Sequence, residues 1–164
     1  MNTIYVDMDG VLVEFDPSKS IEEVATPGYS RNLKPMQDMC NAIRALSVTE
    51  GLQVRILSAV ISEAAAIDKK IWLNKFLGKN FADNAIFVPY GIPKSRLVEP
   101  GYLIDDFSKN LHEWKGIGIK VYNGINGHNG TWRGYSVHAH SSWENIYNQL
   151  LGIIMVNEMM NDAI

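Results

Sequence analysis

Short β-branched and aromatic runs alternate with helical patterns along most of this chain, and that alternation limits the folds open to it. Residues 3–7, carrying Ile4, Tyr5 and Val6, read as a first strand. Val54-Arg55-Ile56-Leu57 reads as a second, ending at Ser58, and residues 85–88 as a third. Tyr102-Leu103-Ile104 is a fourth, ending at Asp105 and Asp106, and Ile119-Lys120-Val121-Tyr122 a fifth. Between them, residues 35–48 read as a helix with Pro35 in its first turn and Gly51 beyond its end. A second helix runs from about Ser62 to Leu77, with Ile67, Ile71, Trp72 and Phe76 at helical spacing and Gly78 closing it. Phe107, Leu111 and Trp114 give one face of a third, and a last helix starts near Ser142. Such alternation implies βαβ units with right-handed crossovers. The expected fold is three-layer α/β/α and Rossmann-like, with a parallel sheet of about five strands.

A chain of 164 residues fits one domain spanning 1–164 and burying roughly two-thirds of its unfolded surface. Net charge −3 offers no polyanion-binding face, so a nucleic-acid partner is not expected. The start Met-Asn-Thr-Ile-Tyr lacks the basic and apolar regions of a signal peptide, and no apolar run approaches a membrane span. Cys40 is the sole cysteine and forms no internal disulfide, which fits a reducing cytoplasm. It shares a face with Met36, Met39, Ile43 and Leu46, as a core thiol would.

In folds of this class, ligands bind beyond the carboxyl ends of the strands, so the residues placed there carry the functional reading. Asp7 and Asp9 end the first strand, with Gly10 behind them to let the chain turn. Residues two apart in extended chain point to one side, so the two carboxylates face one small volume. That repulsion needs a cation or a shared task to offset it. Ser58 alone reads as a turn or helix cap, Lys94 alone as a solvated lysine, and Asp105-Asp106 alone as a strand terminus capping a helix. Together, in this order and at these strand ends, they read as a site.

In these residues the chain resembles the haloacid dehalogenase superfamily of phosphotransferases. Asp7-Met8-Asp9-Gly10 looks like its first motif, Ser58 its second, Lys94 its third, and Asp105-Asp106 with Asn110 its fourth. Within the superfamily it looks closest to 5'(3')-deoxyribonucleotidases, through residues 7–16, the Tyr-Leu-Ile-Asp-Asp run at 102–106, and Ser142-Trp143-Glu144-Asn145-Ile146. The resemblance implies a phosphomonoester hydrolase working through an aspartyl-phosphate, with Asp7 as nucleophile and Asp9 as general acid and base. It implies Mg²⁺ held by Asp7, the Asp9 backbone carbonyl and Asp106, with Asp105 behind. Ser58 and nearby backbone amides, that of Ala59 among them, would bind the phosphoryl oxygens, and Lys94 would neutralise their charge. The dehalogenases of the superfamily lack an acid at the Asp9 position, so this chain points to phosphoryl transfer.

The implied substrate is a nucleoside monophosphate. Sugar phosphates and nucleic-acid ends are the alternatives within enzymes, and a non-catalytic phosphate-binding regulatory domain is the alternative outside them. The nucleotidases hold the nucleobase in an insertion after the first strand, and here residues 14–34 leave room for only a small cap. Phe15 and Tyr29 either stack on a base or pin the cap to the domain. A short cap also suits a site covered by a second subunit, which leaves a homodimer open. The Gly/Asn-rich segment 123–134 reads first as a surface hairpin; as an active-site loop it would offer Trp132 and Arg133 to base and phosphate. His128, His138 and His140 complete no zinc pattern. Residues 153–160 read as packing on the domain.

Overall fold

The computed structural model describes residues 1–126 and 131–161. Among these residues six strands form one wholly parallel sheet: β1 (Asn2–Val6), β2 (Leu52–Val60), β3 (Ile86–Pro89), β4 (Tyr102–Asp105), β5 (Ile117–Tyr122) and β6 (Tyr135–His138). Their order across the sheet is β3-β2-β1-β4-β5-β6. The helices are α1 (Ile21–Ala25), α2 (Gln37–Ser47), α3 (Glu63–Phe76), α4 (Lys79–Asp83), α5 (Ser108–His112) and α6 (Trp143–Asn161). This is the three-layer α/β/α arrangement expected, with one strand more. No helix among the described residues is long and apolar enough to cross a membrane.

Strand alternation divides the core in two. Ile4 and Val6, with Ile56, Tyr102 and Ile104, pack against Met39 and Ile43 of α2, Trp72 and Leu73 of α3, and Ile146 and Leu150 of α6. Tyr5, Leu57 and Leu103 face the other way, onto Leu111 and Trp114, with Tyr5 and Trp114 edge to face at 5.5 Å. Cys40 is buried in the larger core, where burial pushes its thiol pKa up to about 12; it is a packing residue.

The sixth strand replaces the expected surface hairpin. β6 lies parallel to β5, in register Val121↔Val137, so the two strands are joined by a crossover and not by a reversal. Parallel neighbours usually need a dozen or more connecting residues, and the segment between them supplies about that many. His128 lies outside the described residues. His138 stacks on Tyr122 at 5.3 Å and a ring nitrogen of His140 meets the Asn123 carbonyl oxygen.

Helix α3 is rotated from its expected orientation. Ile67 and Ile71 are 52% and 45% exposed, whereas Ala65, Asp68, Lys69, Trp72 and Leu73 are buried. Two charged side chains are satisfied inside, and the apolar pair is left outside. Phe107 likewise leaves the packed face formed by Leu111 and Trp114 and is 51% exposed.

Between β1 and α2 the chain makes a tight loop and then an excursion. Met8, Val11, Leu12 and Val13 are fully buried, and the amides of Leu12 and Val13 donate to the Met8 carbonyl. The excursion is closed at its base where Glu14 N–H donates to Lys34 O at 2.9 Å and Met36 N–H to Leu12 O at 2.8 Å. Within it, α1 begins with a reciprocal cap between Ser20 and Glu23, and a 3-10 turn follows at Ser30–Asn32. Buried Asp68 of α3 accepts from Gly28 N–H and from Arg31 Nε, each at 2.6 Å, tying this excursion to the sheet-covering helix.

Candidate active site

The chain leaves β1 toward β2 and β3 on one side of the sheet and toward β4, β5 and β6 on the other. The strand order therefore reverses between β1 and β4, the place where open α/β sheets form a crevice. Asp7 follows β1, Asp105 ends β4, and Asp106 follows it, so three carboxylates meet at that point. Each can offer an oxygen, and those oxygens lie within 4.8 Å of one another.

All three side chains are buried, and each has assigned company. Lys94 Nζ lies 2.9 Å from Asp7 Oδ1 and 2.6 Å from Asp105 Oδ2. Asp105 also accepts from Asn110 Nδ2 at 2.9 Å and from Phe107 N–H at 2.8 Å. Asp106 Oδ2 accepts from Asn123 Nδ2 at 2.9 Å and from Asn126 Nδ2. Lys120 Nζ donates to the Asp106 carbonyl and, at 3.0 Å, to Ser108 Oγ. Gly10 is essential to this closeness. It adopts φ +74°, and a Cβ there would overlap the Asp106 carboxylate and the Asn123 amide.

Electrostatically the cluster is short of positive charge. Burial pushes the Asp106 carboxyl well above the usual range, and the neighbouring Asp105 and Asp7 charges push it further. Burial also raises Asp105, against the pull of Lys94 and with a further push from Asp7. Burial would lower the Lys94 ammonium, but Asp105 and Asp7 overcome it, and its pKa stands above the ordinary lysine value. Asp7 and Asp105 share the Lys94 ammonium, while the Asp106 carboxylate is met by the Asn123 and Asn126 amides, and hard oxygen donors gathered this closely suit a divalent cation such as Mg²⁺. Asp105 has both oxygens engaged by protein donors, whereas Asp106 borders the cleft.

Asp9 points elsewhere. Its side chain is 38% exposed and its Oδ2 lies 2.5 Å from Lys69 Nζ on α3. The same ammonium donates to Ser58 Oγ and to the Ala59 carbonyl, each at 2.9 Å. Sequence reasoning missed Lys69: it falls at helical spacing with Ala65, Trp72 and Leu73, but Ile67 and Ile71 mark a competing apolar stripe, so spacing alone does not bring it inside.

A cleft of about 340 Å³ opens over these groups. Asp7, Asp9, Ala59, Lys69, Asp106 and Asn110 form its polar side. Phe15, Ile21 and Val24 line it from the excursion, and Val60, Ile61, Tyr90 and Phe107 from the strand ends. Ser58 and Lys94 lie fully or almost fully buried behind this lining. The structure thus brings Phe15 to the cleft but not the other three side chains considered for substrate contact. Tyr29 lines a separate shallow groove with Glu23, Pro27 and Leu33. Trp132 donates its indole N–H to the Tyr135 carbonyl and meets His112 edge to face, and Arg133 is exposed beside it. Phe107, read in the sequence as a helix-face residue, and Tyr90, unremarked there, take the places near the cleft.

The family model described as "5' nucleotidase, deoxy (Pyrimidine), cytosolic type C protein" matches residues 16–156. A protein of Vibrio phage KVP40 named "Putative 5'(3')-deoxyribonucleotidase" is 29% identical over 118 residues, covering 65% of this chain and 67% of its own length.

Proposed function

This chain belongs to the deoxy (pyrimidine), cytosolic type C 5'-nucleotidase family, whose fold is of the haloacid dehalogenase kind, and on that premise we propose that it hydrolyses deoxynucleoside monophosphates through an aspartyl-phosphate in a Mg²⁺-dependent reaction. It is a phosphoric monoester hydrolase of the 5'-nucleotidase type. The observation carrying the finer reading is the buried Asp7, Asp105 and Asp106 cluster beneath a cleft that Asp9 also lines.

In this reading an Asp7 oxygen attacks phosphorus, the bond from phosphorus to the leaving sugar oxygen breaks, and Asp9 gives that oxygen a proton. Asp9 then takes a proton from a water as the water attacks phosphorus. Inorganic phosphate leaves and Asp7 is restored as a carboxylate. Asp7, Asp106 and the Asp9 carbonyl would hold Mg²⁺, with Asp105 behind them; when bound, the ion supplies positive charge that offsets the phosphate and carboxylates. The Ala59 amide at the end of β2 receives a phosphoryl oxygen, with the Ser58 hydroxyl buried behind it on Lys69, and Lys94 holds the charge on Asp7. Residues 14–34 act as a small cap, placing Phe15, Ile21 and Val24 opposite Phe107 and Tyr90 so that a nucleobase has an apolar slot.

A panel of phosphomonoesters assayed in Mg²⁺ and in chelator tests this. Deoxynucleoside monophosphates should be preferred and chelator should abolish turnover. Preference for sugar phosphates would move the substrate to that class, and undiminished activity in chelator would remove the metal.

A further inference from the structure

Three buried ammonium groups, those of Lys69, Lys94 and Lys120, stand around the site. Lys120 is taken up by the Asp106 carbonyl and Ser108 Oγ, and of the other two the mechanism above employs one. Lys94 is committed to Asp7 and Asp105. Lys69 lies on the other side of the crevice, with its Nζ on Asp9 Oδ2 at 2.5 Å and on Ser58 Oγ and the Ala59 carbonyl at 2.9 Å each. An ammonium has three N–H donors and accepts nothing, so these three contacts use all that Lys69 has. The residue before it, Asp68, is buried too and grips Gly28 and Arg31. Ser62 caps the start of the helix by accepting from Ala65 N–H at 3.1 Å. Lys69 is therefore anchored at both ends: its backbone in a capped and tethered helix, its ammonium on the end of β2.

Asp9 has no such anchorage of its own. Its side chain is 38% exposed and borders open space, where a carboxylate is free to change rotamer. We propose that Lys69 is a positioning residue for Asp9, fixing its carboxylate through Oδ2 so that Oδ1 is the oxygen that exchanges the proton with leaving group and water. This rests on the phosphatase reading above, in which Asp9 is the acid and base. A lysine saturated by three protein acceptors has no donor remaining for substrate, so its effect falls on turnover and not on affinity.

A double-mutant cycle tests this, with Lys69→Met, Asp9→Asn and their combination assayed on a deoxynucleoside monophosphate. Lys69→Met should lower kcat by about 10²-fold, within the range by which positioned acid–base groups act, with KM nearly unchanged. In the Asp9→Asn background the same change should cost little more, because the group it positions no longer transfers protons. Equal losses in both backgrounds, or a rise in KM alone, would overturn the proposal in favour of a structural or phosphate-binding lysine. Thermal unfolding establishes that each variant is folded, and Lys69→Gln replaces Lys69→Met if the latter is not; failure of both to fold also counts against the proposal. Wild-type activity separates the two readings. If nucleotides are untouched but another alkyl phosphomonoester is hydrolysed, the substrate reading falls and the cycle is read on that ester. If no phosphomonoester is hydrolysed, both fall.

Discussion

At the level of single side chains, Asp7 shares Lys94 with Asp105, whereas Asp9 is held by Lys69. Two aspartates two residues apart therefore sit in different surroundings, which suits different tasks. Asp7→Asn should lower turnover of every phosphomonoester by on the order of 10⁴-fold or more, as loss of a nucleophile does. Asp9→Asn should cost about 10²–10⁴-fold on nucleotides, whose leaving alkoxide needs a proton, and far less on activated aryl phosphates. Equal losses on both ester types would remove the acid role from Asp9. Asp106 makes a prediction about stability. Its folded pKa is raised above the ordinary carboxyl value by burial and by Asp105 and Asp7. The folded state thus favours its protonated form, and the stability this gives at low pH is lost as pH rises from the unfolded value through the folded one. At neutral pH without metal, Asp106→Asn should have a higher Tm than the wild type, and added Mg²⁺ should raise the Tm of the wild type much more than that of the variant. A lower metal-free Tm for the variant would show that the carboxylate is not held under strain.

At the level of elements, the loop after β1 and the excursion that follows it position the site. Gly10→Ala should reduce both stability and activity, because a left-handed backbone costs an L-residue about 1–2 kcal/mol and the new methyl would meet the Asp106 carboxylate. Unchanged Tm and activity would show that the carboxylate can move aside. Phe15 and Phe107 face the same cleft from the excursion and from the end of β4. Aromatic–base stacking is worth about 1–3 kcal/mol, so alanine at either should lower kcat/KM for nucleotides by roughly five- to a hundredfold, and barely alter hydrolysis of glycerol phosphate. Equal losses on both substrates would take the base away from this slot. The ends of β1 and β4 were legible in the sequence because β-branched runs stopping at acids define their own boundaries, whereas β2 runs past the expected stop at Ser58 to Val60, carried on by pairing with β3. The inner face of α3 was not legible. Ile67 and Ile71 mark an apolar stripe as well as Trp72 does, and only the partners supplied by Asp9, Ser58, Gly28 and Arg31, distant in sequence, bring Lys69 and Asp68 inside. β6 was hidden for a related reason. Four residues after a Gly/Asn-rich loop suggest a reversal, and only pairing with β5 turns the segment into a parallel crossover.

At the level of the whole molecule, topology converts a linear order of motifs into one site. β1 and β4 are far apart in the chain and adjacent in the sheet, so Asp7 meets Asp105 and Asp106 only because the strand order reverses between them. The same arrangement puts β2 on the other flank of β1, where Ser58 and Ala59 hold Lys69 of α3 and Lys69 holds Asp9. The proposed mechanism assigns attack on phosphorus and proton delivery to opposite sides of one strand end. The central claim is that the attack comes from Asp7 and leaves a phosphoryl group on it. The most direct measurement is mass spectrometry of the Asp9→Asn protein, acid-quenched during turnover of an activated aryl phosphate in Mg²⁺. That substrate still phosphorylates Asp7, while loss of the general base slows release, so the peptide containing Asp7 should gain one phosphoryl group, and the Asp7→Asn protein should gain none. Hydrolysis continuing with Asp7 unlabelled, or a phosphoryl group found on any other residue, would contradict the account.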